Sequence, residues 1–179
     1  MNLPNLLTLL RVAMIPLFVL AFLSGTNGWI ALVIFILAAL TDALDGYIAR
    51  KQNIVTDFGK LMDPLADKLM VMSAFICFTA VGLLHPAVTI IIMSREFLVT
   101  GLRSIASSKG RVIAADIWGK LKTIAQDVCI IAVLLWQAIS GGTGFFEVLC
   151  YACIWIMTIL TVFSAVNYCV KNKDLFSAK

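Results

Sequence analysis

The chain is predicted to be an all-α integral membrane protein, a bundle of six transmembrane helices with both termini in the cytoplasm. Three observations lead there. Of its 179 residues 61% are hydrophobic and only 13% charged, and the mean hydropathy is +1.01. Soluble chains run at roughly 45–50% apolar and about 25% charged, so the excess apolar surface must face lipid. Second, the apolar residues fall into six runs of about the length a bilayer requires, roughly 20 residues each. Third, the basic residues alternate from one break between runs to the next.

The runs extend over 6–23, 29–49, 64–84, 87–105, 117–139 and 145–170. The breaks between them are short and several hold turn-forming Gly or Pro: Ser24–Gly28, Arg50–Lys60, the pair His85–Pro86, Ser107–Asp116 and Ser140–Gly144. This leaves one membrane domain over 1–179 and no room for a soluble one. The N-terminus has no Lys or Arg ahead of its apolar run and no evident cleavage site, so the first run reads as a retained span and not a signal peptide. No internal repeat is evident, which argues against an inverted-repeat transporter.

Charge orients the bundle. The first, third and fifth breaks carry no Lys or Arg, whereas the second and fourth and the C-terminal tail hold Arg50, Lys51, Lys60, Lys109, Arg111, Lys171, Lys173 and Lys179. The positive-inside rule puts that second set on the cytoplasmic side. The formal net charge of +4 is therefore a topological signal, and nucleic acid is not an expected partner. His85 reads as a solvated loop residue. Cys150 and Cys153 form a C-x-x-C pair without a second pair or a basic neighbour, and read as small apolar residues of a helix.

Charged residues inside membrane segments are costly and functional by default. Here four aspartates stand at the cytoplasmic ends of two consecutive helices. Asp42, Asp45 and Ala49 are spaced i, i+3, i+7 and share a face of the second helix; Gly59, Asp63 and Asp67 are spaced i, i+4, i+8 and share a face of the third. A short connection makes the helices antiparallel, so the carboxylates converge. Carboxylates so close repel one another, and divalent cations relieve the repulsion, with hard oxygen ligands suited to Mg²⁺ or Mn²⁺. A pair of such ions can clamp a transferring phosphoryl group. Gly46 and Gly59 leave room for a bulky group to approach the backbone, and Arg50 offers a fork suited to phosphate. Asp63 before Pro64 has another reading, as the N-cap of the third helix. It accounts for one aspartate of the four.

The run Asp42-x-x-Asp45-Gly46-x-x-Ala49-Arg50, eight further residues, then Gly59-x-x-x-Asp63-x-x-x-Asp67 resembles the signature of the CDP-alcohol phosphotransferases, and the six-helix count extends the resemblance over nearly the whole chain. Softer matches point to bacterial members that act on sn-glycerol 3-phosphate: the N-terminal stretch from Asn2 to Arg11, Asp63-Pro64-Leu65-Ala66-Asp67-Lys68, Ser94-Arg95-Glu96 with Leu102-Arg103, and Gly119-Lys120-Leu121-Lys122-Thr123. The resemblance implies transfer of the phosphatidyl group of CDP-diacylglycerol to sn-glycerol 3-phosphate, giving phosphatidylglycerophosphate and CMP, at the cytoplasmic surface of a bacterial inner membrane. It implies two divalent ions on Asp42, Asp45, Asp63 and Asp67, with Asp67 also the general base, a CDP site lined by Gly46, Ala49, Arg50 and Gly59, and a homodimer. Asn5 and Thr8 are further CDP-site candidates, with capping of the first helix as their alternative.

A phosphorylated acceptor calls for a second cationic cluster. Arg103, Lys120 and Lys122, near the cytoplasmic ends of the fourth and fifth helices, are the candidates, against snorkelling to the interface. Arg95 beside Glu96 fits an internal ion pair at least as well. Lys109 and Arg111 fall in a loop and suit anionic headgroups of membrane lipids. Asp116 is a possible cap of the fifth helix, and Asp127 has no assigned role. Two alternatives stand beside this reading. One is the same chemistry with inositol phosphate, serine or phosphatidylglycerol as acceptor. The other is a divalent-cation transporter, opposed by the confinement of the carboxylates to one surface, with only Glu147 acidic near the other.

Overall fold

In the computed structural model, the described residues are 3–25, 28–52, 57–111, 113, 116–139 and 144–173, with the side chains of 3–5, 43–52, 57–61, 63 and 64 outside the description. Six α-helices make up this part of the chain: α1 (Leu3–Leu23), α2 (Gly28–Gln52), α3 (Asp57–Ala80), α4 (Pro86–Ser108), α5 (Ile117–Ala138) and α6 (Gly144–Lys171). Each overlaps one predicted run, although α3 ends at Ala80, short of the predicted Leu84. By length and composition α1, α5 and α6 are each able to cross a membrane, and α2 carries a shorter apolar stretch, Gly28–Asp42.

The clearest departure from the sequence reading is the second break. It was expected to span Arg50–Lys60, yet α2 continues to Gln52 and α3 begins at Asp57. Hydropathy marks where a helix leaves the apolar layer, not where it ends. Ala49, Arg50, Lys51 and Gln52 are all strong helix formers, and an acidic residue at the first position of α3 suits the positive end of its dipole. Asp63 therefore lies in the second turn of α3, and the reading of that residue as an N-cap is wrong. Thr8 is likewise within α1 and fully buried, so it does not cap that helix.

Helix α1 packs against α2 and α3, α5 against α6 and α2, and α4 against α6 and α3. The core between them is aromatic at one end: Phe18, Phe22, Phe35, Phe75 and Phe78 are buried together, with Phe22 and Phe78 at 5.4 Å between ring centroids. Cys77, Cys129 and Cys150 belong to this core and Cys153 packs on it, all as free thiols. Gly28 opens α2 where the backbone of α5 passes. A Cβ there would lie 2.9 Å from the Ala138 backbone, so only glycine permits this approach. At the α3–α4 turn Gly82 takes φ 77°, a conformation costly for other residues. His85 is the N-cap of α4, its Nδ1 accepting from the Ala87 N–H at 3.2 Å, with Pro86 at the first turn.

Outside the core, large apolar side chains remain exposed on every helix, among them Leu20, Ile36, Phe97, Ile124 and Trp155. In water such a surface is an aggregation hazard. In a bilayer it is the expected exterior.

Candidate active site

Two cavities meet at Asp67. The smaller, about 80 Å³, is lined by polar groups from four helices: Arg11 of α1, Asp42 of α2, Asp67 of α3 and Asp127 of α5. Arg11 is almost wholly buried, and its Nη1 lies 2.7 Å from the Asp42 Oδ1. A guanidinium held in this way gives Asp42 a fixed counter-charge while leaving the carboxylate 44% exposed and free to take a further ligand.

Of the four predicted aspartates, Asp42 and Asp67 stand on one cavity, from facing helices, as expected. The side chains of Asp45 and Asp63 lie outside the described residues, as do those of Asn5, Ala49 and Arg50; Gly46 and Gly59 are placed only as helical positions of α2 and α3. Because α2 is helical through Gln52 and α3 from Asp57, the spacings i, i+3 and i, i+4 fall within continuous helix. Among the described residues, no three carboxylate, His or Cys side chains form a metal-binding cluster. The donor chemistry nonetheless fits a hard divalent ion, with carboxylates converging from separate helices.

The larger cavity, about 520 Å³, opens on the other side of Asp67 between α3, α4 and α5. Its wall carries five cationic side chains, Lys68, Arg95, Arg103, Lys120 and Lys122, against the carboxylates of Asp67, Glu96 and Asp116. All three predicted acceptor-phosphate residues, Arg103, Lys120 and Lys122, line it. They differ in surroundings. Arg103 stacks over the Tyr168 ring with 5.9 Å to its centroid, an arrangement that fixes a guanidinium without neutralising it. Lys122 is buried and its Nζ donates to Glu96 Oε1.

Glu96 is the counter-charge for this wall. The same Oε1 accepts from Arg95 Nη1 at 3.1 Å, and Arg95 Nη2 donates to Ser164 Oγ of α6 at 2.7 Å. The expected internal pair of Arg95 and Glu96 is thus present, and it also includes Lys122. Lys68 Nζ donates to Thr100 Oγ1 and ties α3 to α4. At the cavity rim Asp116 occupies the N-cap position of α5 without capping it. It accepts instead from Lys171 Nζ at 2.9 Å and from Asn167 Nδ2 of α6. The bond from Lys171, reinforced by its charge and by Asn167, holds the Asp116 carboxyl below its usual value of 3.8.

Sequence reasoning missed Arg11, Asp127 and Gln126 as site residues. The signal for the last two was available. Gln126 lies four residues after Lys122 and seven after Gly119, and Asp127 seven after Lys120, so each shares a helical face with a residue already singled out. Arg11, three residues after Thr8, shares a face with that candidate as well, although the partner that gives it its place, Asp42, lies on another helix.

Comparison with known proteins agrees with this architecture. The CDP-alcohol phosphatidyltransferase family profile matches residues 1–166. A CDP-diacylglycerol–glycerol-3-phosphate 3-phosphatidyltransferase of Bacillus subtilis is 41% identical, covering 96% of this chain and 95% of its own. A protein of the same name from Haemophilus influenzae is 37% identical over 93% and 91% of the two chains. A probable phosphatidylglycerophosphate synthase of Mycobacterium tuberculosis is 39% identical over 89% and 78%. The chain belongs to the CDP-alcohol phosphatidyltransferase family.

Proposed function

We propose that the chain transfers the phosphatidyl group of CDP-diacylglycerol to sn-glycerol 3-phosphate, forming phosphatidylglycerophosphate and releasing CMP. The observation that carries this reading is the place of Asp67, on the wall shared by a carboxylate cavity and a cationic one. A base between a diphosphate donor and a phosphorylated acceptor needs that position. Relatives named for this reaction, similar along nearly their full lengths, support the choice of acceptor.

On this reading the acceptor enters the larger cavity, its phosphate against Arg103 and Lys120, with Lys122 at the wall behind. Asp67 takes the proton from the free primary hydroxyl. The oxygen then bonds to the β-phosphorus of the donor as the bond from that phosphorus to the CMP oxygen breaks. Asp42, Asp45, Asp63 and Asp67 would hold two Mg²⁺ or Mn²⁺ ions, which when bound supply charge neutralisation for the diphosphate and the departing CMP. Gly46, Ala49, Arg50, Gly59, Asn5 and Thr8 are proposed for the nucleotide side. Arg11 acts on the reaction through Asp42, whose carboxylate it positions. Little else is required, since phosphoryl transfer depends chiefly on positioning and electrostatics.

The same proposal takes the chain as one domain of six spans, on apolar length, with both termini and the site at the inner surface of a bacterial plasma membrane, on charge. The acyl tails then stay in the bilayer while the soluble acceptor arrives from the cytoplasm. A homodimer is part of the same proposal. The test is CMP release from CDP-diacylglycerol by purified protein with Mg²⁺ or Mn²⁺ and a panel of alcohols. Release with sn-glycerol 3-phosphate is expected. Release only with another acceptor would overturn the acceptor and leave the donor chemistry standing, and cation flux without CMP release would overturn both.

A further inference from the structure

Gln126 is 2% exposed, lines the larger cavity, and its Nε2 has no hydrogen-bond partner among the described residues. A buried amide donor left unpaired costs about 1–3 kcal/mol, and its neighbours do not relieve it. Lys122, one turn earlier on α5, is occupied with Glu96. The side chain therefore stands as an open polar group in a cavity built for a polar ligand.

We infer that Gln126 is a specificity-determining residue that hydrogen-bonds the central hydroxyl of a three-carbon acceptor; the inference rests on the reaction proposed above. Three features of the cavity divide the acceptor among them. Arg103 and Lys120 are cations nearer the cytoplasmic ends of α4 and α5 and suit its phosphate. Asp67 takes the reacting hydroxyl. Gln126 of α5 and Asp67 of α3 line the same cavity, so the amide and the base face one ligand. Between a phosphate held above and a primary hydroxyl at Asp67, the acceptor has one polar group left, the hydroxyl on its middle carbon. A hydroxyl both donates and accepts, so it satisfies the amide whichever way the amide is turned. A phosphate oxygen only accepts, and cations already serve it.

The experiment compares sn-glycerol 3-phosphate with 3-hydroxypropyl phosphate, which lacks only the central hydroxyl, by CMP release. Sites that hydrogen-bond a hydroxyl discriminate strongly against the analogue without it. The wild-type protein is expected to favour glycerol 3-phosphate in kcat/KM by about tenfold to hundredfold. Gln126→Met, close in shape but without the amide, is expected to bring that ratio to within about threefold of unity. A wild-type ratio near one overturns the inference without any variant. So does a Gln126→Met protein that keeps the wild-type ratio. If that variant does not fold, Gln126→Leu, which likewise offers the hydroxyl neither a donor nor an acceptor, is read by the same ratio. If glycerol 3-phosphate supports no turnover, the acceptor assignment fails separately. The acceptor that does work is then compared with its own deoxy analogue, and an unchanged ratio in the variant overturns the role of the amide there too.

Discussion

Replacing Glu96 by glutamine should strike the cationic wall at the carboxylate that binds two of its cations. Glu96 binds Lys122 and Arg95 through the same oxygen, and Lys122 and Arg95 are only 3% and 9% exposed. The amide of Glu96→Gln still accepts a hydrogen bond, so the change isolates charge from shape. Removing one partner of a buried ion pair costs about 3–5 kcal/mol, because the remaining charge stays desolvated. At about 2–4 °C per kcal/mol for a chain of this size, the fall in Tm is about 6–20 °C. Thermal unfolding of the detergent-solubilised protein measures it. Two further readouts separate electrostatics from general damage. Lys122→Met added to Glu96→Gln removes one of the stranded cations and should recover part of the loss, a coupling read from the double-mutant cycle. An anion in the cavity should also recover part of it, so glycerol 3-phosphate should raise Tm more in Glu96→Gln than in wild type. A single variant melting within about 2 °C of wild type, or a double variant whose losses simply add, would refute Glu96 as the counter-charge.

Asp67→Asn should abolish CMP release while circular dichroism and gel filtration remain those of wild type; appreciable turnover would remove Asp67 from the role of base. Arg103→Ala should raise KM for the acceptor about tenfold or more with a smaller effect on kcat, and an unchanged KM would exclude contact with its phosphate. Gly28→Val should lower stability by about 1–3 kcal/mol, because a Cβ there meets the Ala138 backbone at 2.9 Å; a Tm equal to wild type would show that α2 and α5 separate freely. The lowered Asp116 carboxyl gives a pH signature. A depressed folded value means that its contribution is complete above the ordinary carboxylate range and is lost as pH falls through the lowered value. Wild type should therefore out-melt Asp116→Asn at pH 6 and converge with it as the pH falls through the lowered value and the carboxylate protonates; a gap that persisted once the carboxylate is protonated would mean that the link to Lys171 is not electrostatic.

How far the sequence reached depended on whether a feature is local to one helix. Helix number and the facing of Asp42 and Asp67 were legible, because a 3.6-residue period and an apolar length are properties of a single segment. The ends of α2 and α3 were not: Arg50, Lys51 and Gln52 are polar and good helix formers at once, and hydropathy sees only the polarity. Arg103, Lys120 and Lys122 were legible as a group of cations, but not the division of labour among them. That division comes from partners on other helices: Glu96 of α4 takes Lys122 of α5, Tyr168 of α6 backs Arg103, and Ser164 of α6 accepts from Arg95. The same holds for Asp116, which the sequence offers as a cap and the fold spends on Lys171 and Asn167. In a bundle whose exterior is lipid, polar side chains must find one another across helices, so the pairing carries the specificity of the site. This is why the donor chemistry, written in two adjacent helices, could be read from the sequence alone, whereas the acceptor side required four helices in place before Gln126 stood out as an amide on the cavity wall whose donor has no partner among the described residues.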